Sequence, residues 1–283
     1  MAIFTNQATL SYNGTTVSSN TVSGNLVEAL SITKTAVVDR YSADDTVTYV
    51  ISLTNSGVAP ITGLTLTDDL GAYTFGTGSV TPLSYIDNSV IYYQNGVLQA
   101  SPTVVTADPL TVTGITVPAG GNAILVYEAA TNGYAPLDSG SAITNTASVT
   151  GTGITAEVSA AETVTVVNTA LLGITKSLDP VNVTENSPLT YTFTVTNVGN
   201  TEAGSTDNVV ISDRFDPILS DITVTLNGDV LPAGSYTYDE TTGLFSTVAS
   251  VITVPAATYT QDPVTGVWST TPGVAVLTVT GTV

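Results

Sequence analysis

Two lysines serve all 283 residues, and they stand at the same place in two copies of one repeat. Lys34 lies in Leu-Ser-Ile-Thr-Lys-Thr (30–35) and Lys176 in Leu-Gly-Ile-Thr-Lys-Ser (172–177). A soluble protein normally spreads lysines over its surface; this one keeps two, each inside an apolar-alternating run. An amine is a nucleophile only when neutral, and burial among apolar side chains favours the neutral form. The pair is therefore placed for a chemical or a core role, and the elements around it decide between them.

Those elements repeat. Segment 44–55, Asp-Asp-Thr-Val-Thr-Tyr-Val-Ile-Ser-Leu-Thr-Asn, aligns with 186–197, Asn-Ser-Pro-Leu-Thr-Tyr-Thr-Phe-Thr-Val-Thr-Asn. Both alternate apolar and polar residues, as a half-buried strand does. Each ends in Asn-x-Gly, at Asn55 and Asn197, which reads as a turn. Next come Leu-Thr-Leu-Thr-Asp (64–68) and Val-Val-Ile-Ser-Asp (209–213), closing on Asp68 and Asp213. Ile-Thr-Val-Pro recurs at 115–118 and 252–255, and Asn-Ala-Ile-Leu-Val-Tyr (122–127) matches Val-Ala-Val-Leu-Thr-Val (274–279).

After that strand the copies diverge. Copy 1 continues with Ile-Thr-Asn-Thr-Ala-Ser-Val-Thr (143–150), a Gly-Thr-Gly turn and Ile-Thr-Ala-Glu-Val-Ser (154–159), which predicts a closing strand pair. Copy 2 stops at Val283 without one. The same form stands at the other end: Phe-Thr-Asn-Gln-Ala-Thr-Leu-Ser-Tyr (4–12), Asn-Gly, Thr-Thr-Val-Ser (15–18), where Asn6-x-Ala8 answers Asn145-x-Ala147. The expected organisation is an N-terminal donor hairpin and extension over 1–29, a complete domain over 30–168, and an incomplete one over 169–283. An unfinished sandwich exposes sheet edges and core, a drive to acquire the missing strands. The hairpin could fold back on its own copy 2 or enter that of another subunit. Head-to-tail donation of the second kind gives an open filament, as in strand-complemented pilins.

Composition narrows the function. Thr, Val, Ala, Ser and Gly dominate, and the wealth of β-branched residues with many short turn signals is the make-up of a β-sandwich protein. Four basic residues against 23 acidic ones give a net charge of −19, so no basic patch exists for nucleic acid or an anionic membrane. With no Cys and no His, disulfides, thiolate zinc sites, cysteine nucleophiles and His-dependent triads are excluded. No Gly-rich phosphate fingerprint precedes a helix, and no apolar run is long enough to span a bilayer. No cofactor and no metal is called for. The N-terminus, Met-Ala-Ile-Phe-Thr-Asn-Gln, lacks the features of a secretory signal, so the expectation is either a signal already cut away or export by another route such as mother-cell lysis.

The repeat resembles a widespread bacterial surface module, a domain of the DUF11 type. Its pattern runs Lys-Thr/Ser, then Asp/Gly-x-Val-Thr-Tyr-x-Ile-x-Val-Thr-Asn-x-Gly, Val-x-Val-x-Asp, and a closing Asn-x-Ala-x-Val. Lys34, Tyr49, Asn55, Asp68, Asn145 and Ala147 fit in copy 1; Lys176, Tyr191, Asn197 and Asp213 fit in copy 2, whose closing pair is found only at Asn6 and Ala8. The resemblance implies an isopeptide bond between a first-strand Lys and a last-strand Asn, promoted by a buried acid, as in other Gram-positive sandwich modules. A two-repeat chain of this type is also similar to the ribbon-forming proteins of clostridial spore appendages, implying an extracellular place on a cell or spore surface.

The implied chemistry assigns roles. A carboxylic acid kept neutral by its apolar site protonates the Asn carboxamide and relays a proton to departing ammonia. Contact between the partners supplies the entropic part of the barrier. The sets are Lys34, Asp68 and Asn145 within copy 1, and Lys176 and Asp213 with Asn6 of a neighbouring subunit, the two acids acting as relays. The plainer alternatives are solvated lysines, aspartates that only end strands, and asparagines that satisfy local backbone.

The sequence thus predicts an all-β chain of two tandem Ig-like, Greek-key sandwiches, the second completed by the N-terminal hairpin of another subunit. Its preferred function is a self-assembling fibre subunit, a head-to-tail homopolymer of itself, covalently locked. The rival is a monomeric adhesin module that recognises a glycan or host protein. An enzyme acting on an external substrate ranks third, since the usual nucleophile–base pairs are missing.

Overall fold

Period-two alternation of β-branched and polar residues makes almost every segment a strand with one face to bury. The computed structural model describes residues 2–283, without the side chains of Ala2 and Leu26. Among them the helical element is one 3-10 turn, Ser205–Asp207. The chain divides into two compact units, 1–132 with 143–164, and 133–142 with 165–283.

The first unit is a two-sheet sandwich. One sheet runs, in spatial order, Val97–Leu98, Ile91–Gln94, Asn122–Thr131, Thr46–Asn55 and the lysine strand Leu30–Ala36. The other runs Thr103–Ala107, Leu110–Val117, the acid strand Ile61–Asp68, Ala142–Thr150, Val158–Val166 and Arg40–Tyr41. The strand Thr46–Asn55 shows the logic: Val47, Tyr49, Ile51, Leu53 and Asn55 are buried, and the residues between them are not. The closing hairpin 142–166 lies directly against the acid strand, with Ala147 opposite Asp68 and Val149 opposite Leu66.

The second unit repeats the first sheet and half of the second. Its larger sheet runs Leu172–Asp179, Pro188–Asn197, Gly273–Thr282, Ser220–Leu226 and Asp229–Val230. The facing sheet has three strands, Ser212–Arg214, Leu244–Thr247 and Tyr236–Asp239. Its core holds Leu189, Tyr191, Phe193, Phe215, Phe245 and Leu277 among others. Ser212–Arg214, the counterpart of the acid strand, pairs with Leu244–Thr247 alone, so its other edge is open among the described residues. All eight residues of the lysine strand Leu172–Asp179 are exposed, Ile174 by 57%.

The N-terminal hairpin pairs with neither sandwich. Ala2–Asn6 pairs with Val22–Leu26, and Thr9–Tyr12 with Thr15–Ser18, around an Asn13–Gly14 turn in which both residues have positive φ. The continuous strand expected over 4–12 is broken at Gln7 and Ala8. There Ser19 Oγ accepts the Ala8 N–H at 3.0 Å, and Gln7 donates to the Ser19 carbonyl at 2.7 Å. Two further expectations are corrected. The second closing strand starts at Val158 rather than 154, after Gly151 and Gly153 at positive φ. The strand expected over 209–213 is laddered only from Ser212, because it has a neighbour on one side only.

Candidate functional site

Lys34 is held near the middle of its strand, opposite Ile51, with its side chain turned into the sandwich. Lys34 and Asp68 side chains are wholly buried, with Nζ donating to Oδ2 at 2.6 Å. Asp68 ends its strand as expected, yet it is no mere turn former: Oδ1 accepts the Leu70 N–H at 3.1 Å, while Oδ2 faces the interior. Tyr127 donates its hydroxyl to the same Oδ2 at 2.7 Å, and Asn145 Nδ2 donates to the Tyr127 oxygen at 3.0 Å. Lysine, acid, phenol and carboxamide thus form one continuous chain in a dry core. The rings of Tyr49 and Tyr127 stack at 5.5 Å, and Nζ lies 4.7 Å from the Tyr49 ring centroid.

The electrostatics favour uncharged partners. Burial pushes the Lys34 amine down, opposed by Asp68; burial pushes the Asp68 carboxyl up, opposed by Lys34. Both shifts act in the direction that makes the amine a nucleophile and the carboxyl an acid. One buried atom of the site, Asn145 Oδ1, has no hydrogen-bond partner among the described residues. An unsatisfied buried polar atom costs about 1–3 kcal/mol.

Burial also pushes the phenols of Tyr49 and Tyr127 up. A group whose folded pKa exceeds its unfolded value stabilises fully below the unfolded pKa and loses that contribution as pH rises through the folded one. Stability should therefore begin to fall above about pH 10, by about 1.4 kcal/mol per pH unit for each phenol. Alkaline melting curves of wild type, Tyr49→Phe and Tyr127→Phe check this: each variant should lose its share of the fall in stability, whereas an unchanged pH dependence in both would show the pair to be accessible.

The second unit holds the same first two members in an open setting. Lys176 is ion-paired with Asp213 Oδ2, with the side chains 39% and 20% exposed. The amine lies 4.3 Å from the Tyr191 ring centroid, 5.5 Å from Phe193 and 5.6 Å from Phe215. Val279, fully buried, occupies the position of Tyr127, and among the described residues no strand of the second unit lies where Ala142–Thr150 carries Asn145 in the first. Asn6 stands exposed on the N-terminal hairpin, opposite Val22. The structure therefore assembles Lys34, Asp68 and Asn145, brings Lys176 to Asp213, and leaves Asn6 on a separate hairpin.

Asn55 and Asn197 serve turns. Each accepts an N–H two residues on, from Gly57 and Gly199, and donates to carbonyls of Ala59 and Pro118, or of Thr201 and Pro255. Arg214 Nε donates to the Thr242 carbonyl at 3.0 Å. No cluster of three or more acidic side chains suited to a metal occurs among the described residues. Tyr127 was the residue missed in sequence, because its counterpart in the other copy is a valine.

No family model matches the chain, and no curated protein does. Among solved structures it is similar to BcpA, the major pilin subunit of Bacillus cereus, at 15% identity, over 95% of this chain and 73% of that one, with a TM-score of 0.38. The pilus backbone RrgB of Streptococcus pneumoniae matches at 11% identity, over 86% and 56%, with a TM-score of 0.33. The collagen-binding subdomain ACE19 of the Enterococcus faecalis surface protein ACE matches at 8%, over 51% and 100%, with a TM-score of 0.30. Overlaps this loose carry no functional conclusion.

Proposed function

We propose that this chain is a structural subunit of an extracellular or spore-surface fibre, in which the N-terminal hairpin of one copy completes the second sandwich of the next. The observation that carries the reading is the open edge of Ser212–Arg214 beside an exposed Lys176–Asp213 pair. In the first unit that edge is filled by Ala142–Thr150, whose inward residues Ile143, Asn145, Ala147 and Val149 are all buried. The N-terminal hairpin offers Phe4, Asn6, Ala8 and Leu10 at the same spacing, all of them exposed. Carrying the first unit's register across sets Ala8 opposite Asp213 and Leu10 opposite Ile211, with Asn6 delivered toward Lys176.

Donation covers what each part exposes. Phe4, Leu10 and Ile174 are each more than half exposed, and full burial of such a side chain stabilises by roughly 1.5–3 kcal/mol. The ladder gains a partner, and Lys176 loses water. The arriving carboxamide then meets the Lys176–Asp213 pair directly. A Lys–Asn isopeptide would lock each junction, and the buried set at Lys34 would lock the first sandwich internally. The repeat belongs, in this reading, with DUF11-type surface modules.

The test uses chains lacking residues 1–26. By negative-stain microscopy the full chain should form filaments and the truncated chain should not, while keeping its β-sheet circular dichroism. A peptide of residues 1–24 added to full-length protein should cap acceptor ends and shorten the filaments. Filaments of unchanged length from the truncated chain would overturn donation; a wild type that stays monomeric would favour a binding module.

A further inference from the structure

We propose that Tyr127 is a catalytic residue of the first site, carrying a proton from Asp68 to the leaving nitrogen of Asn145; the proposal rests on the Lys–Asn bond chemistry of the preceding section. Its basis is an unbroken run of contacts from nucleophile to leaving group. Lys34 Nζ lies 2.6 Å from Asp68 Oδ2, that oxygen 2.7 Å from Tyr127 Oη, and Oη 3.0 Å from Asn145 Nδ2. Asp68 makes no described hydrogen bond to Asn145. The phenol bridges the two.

The proton balance closes along this line. Nζ attacks Asn145 Cγ, and the new N–C bond leaves a tetrahedral carbon whose Nδ2 lone pair is no longer conjugated. Oη passes its proton to Nδ2, Asp68 resupplies Oη, and the proton shed by Nζ returns to Asp68. The Cγ–Nδ2 bond then breaks and ammonia departs. Lysine and asparagine become an amide plus ammonia, while acid and phenol end as they began. No oxidant, metal or external base is consumed. General acid–base participation of this kind contributes about 10²–10⁴-fold in rate.

The second site lacks the bridge. Val279 is apolar and buried where Tyr127 stands, so there Asp213 has to serve the incoming Asn6 without a phenol. The two bonds therefore differ in a testable way: one depends on Tyr127 and the other does not.

Tyr127→Phe keeps the ring stacked on Tyr49 and deletes only the hydroxyl. In newly synthesised protein followed by intact mass, internal ammonia loss should slow about a hundredfold, while inter-subunit ladders still form. A β-sheet circular dichroism spectrum unchanged from wild type certifies the fold of the variant. Tyr49→Phe, which removes a neighbouring buried hydroxyl that makes no described hydrogen bond to Asp68, should slow the reaction far less. Normal kinetics in Tyr127→Phe, or slowing confined to Tyr49→Phe, overturns the relay. Absence of any ammonia loss in wild type would instead refute the bond itself. Should Tyr127→Phe not fold, the rate in mixtures of light and heavy water decides: two protons in flight give a bowed dependence, and a linear one overturns the proposal.

Discussion

Protein carrying Lys176→Ala should run as a single monomer band on a boiled denaturing gel, where wild type runs as a ladder. The first sandwich has its lysine, acid and carboxamide within one unit, so any bond there is internal and adds no mass to the chain's neighbours. Lys176 has its acid, but no Asn of the second unit is described as bonded to either member of that pair, and Lys34, the other lysine, is already enclosed with Asn145. Asn6→Ala should give the same monomer band. Both variants should still form filaments under native conditions, because the ladder hydrogen bonds and the burial of Phe4 and Leu10 need neither side chain. Ladders that survive either substitution would place the covalent junction elsewhere.

Asp68→Ala should be far more damaging than Asp213→Ala. With Asp68 gone, Lys34 loses its one described ion-pair partner while its side chain stays wholly buried. Leaving the buried amine without its hydrogen-bond partner costs about 1–3 kcal/mol, or about 2–12 °C in a unit of this size. The same change also removes the acid, so internal ammonia loss should stop. Around Asp213 the lysine is more than a third exposed, and solvent screening reduces the loss in the free subunit to about 1 kcal/mol or less. Filaments of Asp213→Ala should form and then dissolve in hot detergent. Thermal melts and intact masses of the two variants check this; equal destabilisation, or bonds formed at the normal rate, would make both aspartates ordinary strand ends.

Much of this was legible in the residues because the chain says the same thing twice. The alternation in 44–55 and 186–197 marked the paired central strands, and the repeated aspartates marked the acids that meet the lysines. Repetition also set the blind spot. Tyr127 faces Val279, so a reading that trusted only shared positions passed over the group that bridges Asp68 and Asn145. The break at Gln7 and Ala8 was invisible for a different reason: it depends on Ser19 hydrogen-bonding back across the hairpin, a contact no period-two pattern encodes. The short ladder at Ser212–Arg214 has one neighbour, Leu244–Thr247, and no strand at its other edge among the described residues.

A mixed-isotope experiment puts the inter-subunit junction to the sharpest test. Nitrogen-15-labelled and unlabelled subunits are assembled together, digested, and searched by mass spectrometry for the peptide pair joined through Asn6 and Lys176. Donation between subunits predicts heavy–light pairs alongside the pure ones, each lighter by one ammonia than its two peptides combined. Joined pairs that are only all-heavy or all-light would show the hairpin closing its own chain, and no joined pair in assembled filaments would show that the Lys176 amine makes no bond there.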